Sequence, residues 1–367
     1  MTFRVSRWQL TLLVFLVSLC VTPFSFDSLP FVSLRRFAWM VMVPATAVGL
    51  IGAAIALALL RRFPGRSVTE YAPQTAGPLL GRLYLALLGL VLLAGAPANL
   101  HTLVELARFS ELSHISPLWI AFLFAGMVST ACYFGPEVVA RVAEVLAPIV
   151  ALGLIGVYAA PLPAAIPVRL LPLAGFPWHA YLAPAIISTL AGVRGFLCVL
   201  VLGGMVDDTC CIGRFTFGAV LLAALLSTMS LAEPVMVLGS GLASRLRFPL
   251  LAVIGTVSFR WLPFQRLTTV VIVVWELVMY AVFAFYLWSG VHVLTVVVGM
   301  RRNWRTVLFP AAAIAAFLAG ASIRRPLYRA GLIGWDFSVI GVGVLLPLLL
   351  LALGRRRPRP VADGGRV

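Results

Sequence analysis

The chain has 367 residues, of which 62% are hydrophobic and 11% charged, and its formal net charge is +16. A soluble domain carries roughly 25% charged residues and cannot hide this much apolar surface. A soluble enzyme, a disordered regulator and a secreted disulfide scaffold are excluded, which leaves a polytopic membrane protein with room for about ten spans of ~20 residues.

The first apolar run, Trp8 to Leu29, follows Arg4 and Arg7 and has no small-residue cleavage site after it. It reads as a retained span rather than a signal peptide. Within it, Cys20-Val21-Thr22-Pro23 interrupts the helix, because Pro23 lacks a backbone donor and clashes with the preceding turn. A second run covers 37–60. Residues 61–80 then mix arginine, proline and small polar residues, which suits a short interfacial helix on the cytoplasmic side. Runs at 80–105, 117–135 and 137–160 follow. The third span carries His101 and Glu105 one helical turn apart on one face. At the start of the fifth, Glu137 and Glu144 straddle Arg141 at helical spacing, and Pro136 suits a helix start.

The sixth run, 180–205, contains Ser188-Thr189-Leu190-Ala191-Gly192-Val193-Arg194-Gly195, with two glycines, two hydroxyls and a charge at mid-depth. Runs at 214–238, 267–298, 306–323 and 336–354 complete ten. Between the seventh and eighth, residues 240–266 include Phe248-Pro249 and Trp261-Leu262-Pro263 and suit an outer-leaflet surface segment with short helices. Backbone in lipid must satisfy its own hydrogen bonds, and no alternating barrel pattern is present, so the spans are helices.

The interruptions in spans one and six fall at matching places. A single transmembrane domain (1–367) built as a five-plus-five inverted repeat would place its site there, with repeats over about 8–160 and 180–354 and a short tail at 355–367. N–H groups freed at a half-helix start can hold a carboxylate, and freed carbonyls can hold an ammonium. The candidate ligand-binding residues are therefore Cys20, Val21, Thr22 and Pro23 in span one, with Thr189, Ala191, Gly192 and Arg194 in span six. A charge at mid-depth costs roughly 3 kcal/mol or more unless it faces protein or water. Arg194 is thus expected to point inward, with Glu105 and Glu276 as candidate partners and Glu233 a weaker one. It either pairs structurally or meets the carboxylate of a small zwitterion. His101, beside Glu105, joins the candidate set.

All 28 basic residues are arginine. With the N-terminus cytoplasmic, sixteen arginines fall on inner segments and eleven on outer ones, a bias that places both termini inside. Their placement between apolar runs follows membrane topology and argues against a nucleic-acid face. The five cysteines have no metal or redox spacing. There is no Walker loop, HExxH or GxSxG motif, so no enzymatic activity, metal or cofactor is expected.

Several stretches resemble the spore-germination permease family, the B subunits of endospore germinant receptors. Arg61-Arg62-Phe63-Pro64-Gly65-Arg66-Ser67-Val68-Thr69-Glu70-Tyr71 is similar to its "RFPGKTLIEY" loop. Gly135 to Ile149 (GPEVVARVAEVLAPI) resembles its "KGIEVIARLAEILFPI" stretch. Ser6-Arg7-Trp8-Gln9-Leu10, Phe248-Pro249-Leu250 and Phe264-Gln265-Arg266-Leu267 are weaker matches in the right order.

The resemblance implies an all-α, ten-helix fold of the amino acid–polyamine–organocation transporter superfamily, with spans one, three, six and eight around a mid-membrane ligand site. It implies a place in the spore inner membrane beside an A subunit and a lipoprotein C subunit, sensing a small germinant, an amino acid above all. Glu105 matches a family glutamate in span three. The family's span six often reads Phe-Gly-Glu, where Ala191-Gly192-Val193 stands here with Arg194 following. Its span eight begins Glu-Arg-x-Asp, where Gln265-Arg266-Leu267-Thr268 has neither acid. These departures imply an altered ligand or a subunit that no longer binds one. The expected function is a permease-like receptor subunit. The alternatives are an ion-coupled amino-acid transporter, with Glu105 or Glu276 carrying a proton, and a structural subunit with a degenerate site.

Overall fold

Ser67 and Glu70 close a capping box at the start of a short helix, the Ser67 backbone N–H donating to the Glu70 carboxylate at 3.2 Å. Elsewhere proline starts helices, where its missing N–H costs nothing: Pro117, Pro136 and Pro249 all stand in a first turn. Gly135, at φ 106°, makes the corner between two such helices. Local rules of this kind cut the apolar chain into rods.

The structure, a computed structural model, describes residues 4–19, 29–109, 115–171, 174–256, 267–300, 305–322 and 325–355. The chain runs through α1 (Arg7–Leu19), α2 (Leu29–Leu34), a 3₁₀ segment Arg35–Val41 and α3 (Met42–Arg62). Next come α4 (Val68–Ala76), α5 (Pro78–Phe109), α6 (Pro117–Phe134) and α7 (Pro136–Ala159). The short helices α8 (Trp178–Tyr181) and α9 (Pro184–Ile187) lead through a 3₁₀ segment, Ser188–Gly192, to α10 (Phe196–Leu202). The long α11 (Ile212–Leu238) is followed by two short helices, α12 (Ser240–Ala243) and α13 (Pro249–Gly255), and then by α14 (Leu267–Val298). Finally, α15 (Arg305–Ser322) precedes α16 (Arg325–Ile340), which passes through a π-helical turn, Gly341–Leu345, into α17 (Leu346–Arg355).

Six stretches are long and apolar enough to cross a membrane: Leu29–Arg62, Pro78–Leu106, Pro136–Ala164, Ile212–Leu238, Val271–Val298 and Ala330–Gly354. Four shorter apolar helices, Arg7–Leu19, Leu118–Phe134, Phe196–Met205 and Leu308–Ala319, stand at the remaining expected places. The fold is that of an all-α integral membrane protein with about ten membrane helices. Leu83, Leu87 and Leu90 are exposed at helical spacing on α5, as are Leu221, Leu222 and Leu225 on α11. Such apolar outer faces are what lipid requires.

The centre of the bundle is α14, which packs along α5 and against α7. Gly290 makes the α5 contact possible, since a Cβ there would stand 2.7 Å from the Leu93 backbone nitrogen. On one side of this pair α1 packs between α7 and α11. On the other, α4 lies between α5 and α17, with Tyr71 stacked on Phe63 at 5.1 Å between ring centroids. Burial pushes the Tyr71 hydroxyl above its ordinary range.

Two expectations shift. Glu137 and Glu144 serve the N-terminal segment: Glu137 accepts the Arg4 backbone N–H at 2.8 Å and Glu144 accepts the Gln9 amide at 2.9 Å. The last span begins before residue 336, because α16 starts at Arg325 and carries Asp336 within the helix. The expected short helices after span seven are present as α12 and α13, while Trp261-Leu262-Pro263 lies outside the described residues.

Candidate functional site

Span six is broken where glycine and hydroxyl residues crowd together. Its first half ends in the 3₁₀ segment Ser188–Gly192, Val193 is extended at φ −108° and ψ 92°, and α10 resumes at Phe196. Residues 191–200 are all buried. The break fits because its neighbours are small: a Cβ on Gly49 of α3 would stand 2.7 Å from Val193, and one on Gly52 equally close to Phe196. A Cβ on Gly195 would land on the Ser18 hydroxyl and the Val14 carbonyl of α1. The Ser18 hydroxyl accepts the Gly195 N–H at 3.2 Å, satisfying one donor that the break sets free.

At this break Arg194 turns inward and is 2% exposed. Its Nε donates to the Ala191 carbonyl at 2.6 Å, and its Nη2 to Asp336 Oδ1 of α16 at 2.5 Å. Its guanidinium lies 4.2 Å from the ring centroid of Trp335. The Ser188 hydroxyl also hydrogen-bonds Asp336. Trp335 is fixed in turn by donating Nε1–H to the Val91 carbonyl at 2.7 Å and by an edge contact with Tyr286. The cation is thus held by an acid, a carbonyl and a π-face, the groups that offset desolvation of a guanidinium.

Among the expected span-six residues, Thr189, Ala191, Gly192 and Arg194 are brought together in one buried segment. Thr189 donates to the Ile186 carbonyl at 2.5 Å. Cys20, Val21, Thr22 and Pro23 lie outside the described residues. The acid that meets Arg194 is Asp336, in place of the expected Glu105, Glu276 or Glu233. Glu105 instead pairs with Arg247, from the connection between α12 and α13. His101, one turn earlier on α5, is buried, and Glu276 is half-buried on α14. Glu233 of α11 is 1% exposed, and neither carboxylate oxygen has a hydrogen-bond partner among the described residues. Asp336, Trp335 and Ser18 are the residues that sequence reasoning missed. The signal available for Asp336 was that it is the one acid between Glu276 and the C-terminal tail.

Ion pairs also stand at the two ends of the bundle. At the N-terminal face, Val5 forms a parallel bridge to Val206 just beyond α10. Arg4 lies 3.5 Å from Asp207, and Arg7 lies 2.9 Å from Asp208. At the opposite face, the Arg247–Glu105 pair ties the segment after α11 to α5.

In fold, the chain is similar to MhsT, whose crystal structure was solved in complex with L-phenylalanine. The TM-score is 0.65 at 14% identity, over 96% of this chain and 89% of that one. No curated protein matches the chain in a sequence comparison. The likeness is one of fold: the chain shares the helical architecture of MhsT. A family model for spore germination proteins of the permease type matches residues 4–323 of the 367, ending before the last span, and the chain therefore belongs to the spore germination permease family.

Proposed function

We propose that the chain is the permease-like subunit of a spore germinant receptor, and that it binds a small amino acid at the break in span six. The observation that carries this reading is the buried Arg194–Asp336 pair at that break. A carboxylate ligand entering beside Arg194 exchanges for Asp336, so one ion pair replaces another and the guanidinium is never left bare. The exchange frees α16 from span six. The amino acid held by MhsT, which has the same fold, supports a ligand of this class. Thr189, Ala191 and Gly192 supply backbone groups around it, His101, Glu105 and Glu276 belong to the same proposed ligand set, and Cys20, Val21, Thr22 and Pro23 are the span-one members expected from the sequence. The movement passes to the A subunit and the lipoprotein C subunit in the spore inner membrane, with both termini cytoplasmic.

The test is thermal stabilisation of the purified chain by each amino acid, followed by germination of spores carrying variants. One or a few amino acids should stabilise the wild type, and Arg194→Met should abolish both that shift and the matching germination response. Stabilisation by no amino acid, or an unchanged response in Arg194→Met spores, would overturn the reading. A second reading, ion-coupled transport, is favoured by Glu233, whose buried carboxyl lacks a partner among the described residues. Labelled amino-acid uptake into proteoliposomes under an ion gradient, present in the wild type and lost in Glu233→Gln, would select it.

A further inference from the structure

At the face opposite the N-terminus, a cavity of about 490 Å³ opens between the start of span two, the segment before α8 and the start of α12. This size falls within the roughly 300–1,000 Å³ of small-molecule sites. Its polar lining comes from Arg35, Arg36, His179, Ser33 and Ser240, and no carboxylate lines it among the described residues. Arg35 and Arg36 stand next to each other with no pairing acid among the described residues, so the described lining is a concentration of positive charge. Arg35 also has φ 52°, a left-handed conformation that a non-glycine residue holds only when its surroundings fix it.

The walls beside the cavity are aromatic. Phe37 meets Phe176 edge-on at 5.5 Å, Phe176 meets Trp178 at 4.7 Å, and Trp178 is 68% exposed. Exposed tryptophan next to arginine marks the headgroup level of a bilayer. A basic pocket at that level, closed by serine hydroxyls, has the chemistry of a phosphate site.

We propose that this pocket binds the phosphate headgroup of an anionic phospholipid. The two guanidiniums hold the phosphate oxygens, Ser33 and Ser240 supply hydroxyl donors, and the aromatic wall receives the glycerol and the first part of the acyl chains. The site is separate from the Arg194 break and stands whether or not that break binds a ligand.

The experiment uses the full chain in phosphatidylcholine nanodiscs with increasing phosphatidylglycerol, reading the unfolding midpoint and the lipid retained in native mass spectrometry. Wild type should retain phosphatidylglycerol and unfold at higher temperature as its fraction rises. Arg35→Gln with Arg36→Gln should weaken the apparent affinity about tenfold or more. The double lysine variant, which keeps the charge, should recover part of it and shows that the fold survives substitution. Arg82→Gln, an exposed arginine of α5, should behave as wild type. Inorganic phosphate added in phosphatidylcholine alone should have no effect. An equal shift in the double glutamine variant would overturn the proposal. An arginine-dependent shift with inorganic phosphate would assign the pocket to a free anion and overturn the lipid reading.

Discussion

Removing Asp336 should expose how much of the fold hangs on one buried cation. Arg194 is 2% exposed and its partner's side chain 7%, so neither charge reaches water when the pair is broken. Breaking a buried pair by removing one partner costs about 3–5 kcal/mol, because the remaining charge stays desolvated. Here the Ala191 carbonyl and the Trp335 face remain to hold Arg194, contributing about 1–3 kcal/mol between them. Asp336→Ala should therefore fall near the lower end, at about 3 kcal/mol. Asp336→Asn, which keeps an acceptor oxygen in the same place, should cost about 2 kcal/mol. Replacing both charges, Arg194→Met with Asp336→Leu, should return stability to within about 1 kcal/mol of wild type or above it. Denaturant unfolding of wild type, Arg194→Met, Asp336→Leu and the double variant, purified in detergent, gives the four corners of the cycle. A coupling energy below about 0.5 kcal/mol, or a double variant as weak as the worse single one, would refute the reasoning.

Further outcomes follow from other contacts. Glu233→Leu replaces a buried carboxyl whose oxygens have no partner among the described residues with an apolar side chain of similar size, so the unfolding free energy should rise by about 1–2 kcal/mol; a fall would contradict it. Gly195→Ala places a methyl group on the Ser18 hydroxyl and the Val14 carbonyl, and about 1–3 kcal/mol should be lost in the same assay. Ser67→Ala dismantles the capping box of α4 and should cost about 1 kcal/mol, seen as faster proteolysis within residues 63–76. Arg7→Gln, at an ion pair whose acid is half exposed to solvent, should change global stability by less than about 1 kcal/mol.

Much of this architecture is readable from the chain because lipid enforces simple rules. The apolar runs, the helix after Arg66 and the break at 188–195 each follow from hydropathy, capping or glycine placement; among the described residues the runs appear as six long spans and four shorter helices, and the short helix and the break are present. Arg194 turns inward because a guanidinium has nowhere else to go at that depth. Its partner escaped sequence reading for a physical reason. Arg325, Arg329 and Asp336 lower the local hydropathy, which delays the apparent start of the last span and leaves Asp336 at its edge. The helix starts eleven residues earlier, at Arg325, so the acid lies well inside it. Glu105 was drawn to Arg194 on depth alone, whereas Arg247, from a connection with no periodicity to read, takes it. Pairings across non-adjacent helices depend on rotation about each axis, and hydropathy carries no record of that angle.

The π turn at Gly341–Leu345 bears on how this helix tolerates changes of length. An α-helix turns about 100° per residue, so an inserted or deleted residue ordinarily rotates everything beyond it. A π turn already absorbs one surplus residue. Deleting a single residue within 341–345 would tighten the turn to α while Asp336 above and Leu348 below kept their present directions. The last span thus carries its own slack, and a shortened chain could still bring its acid to the break in span six.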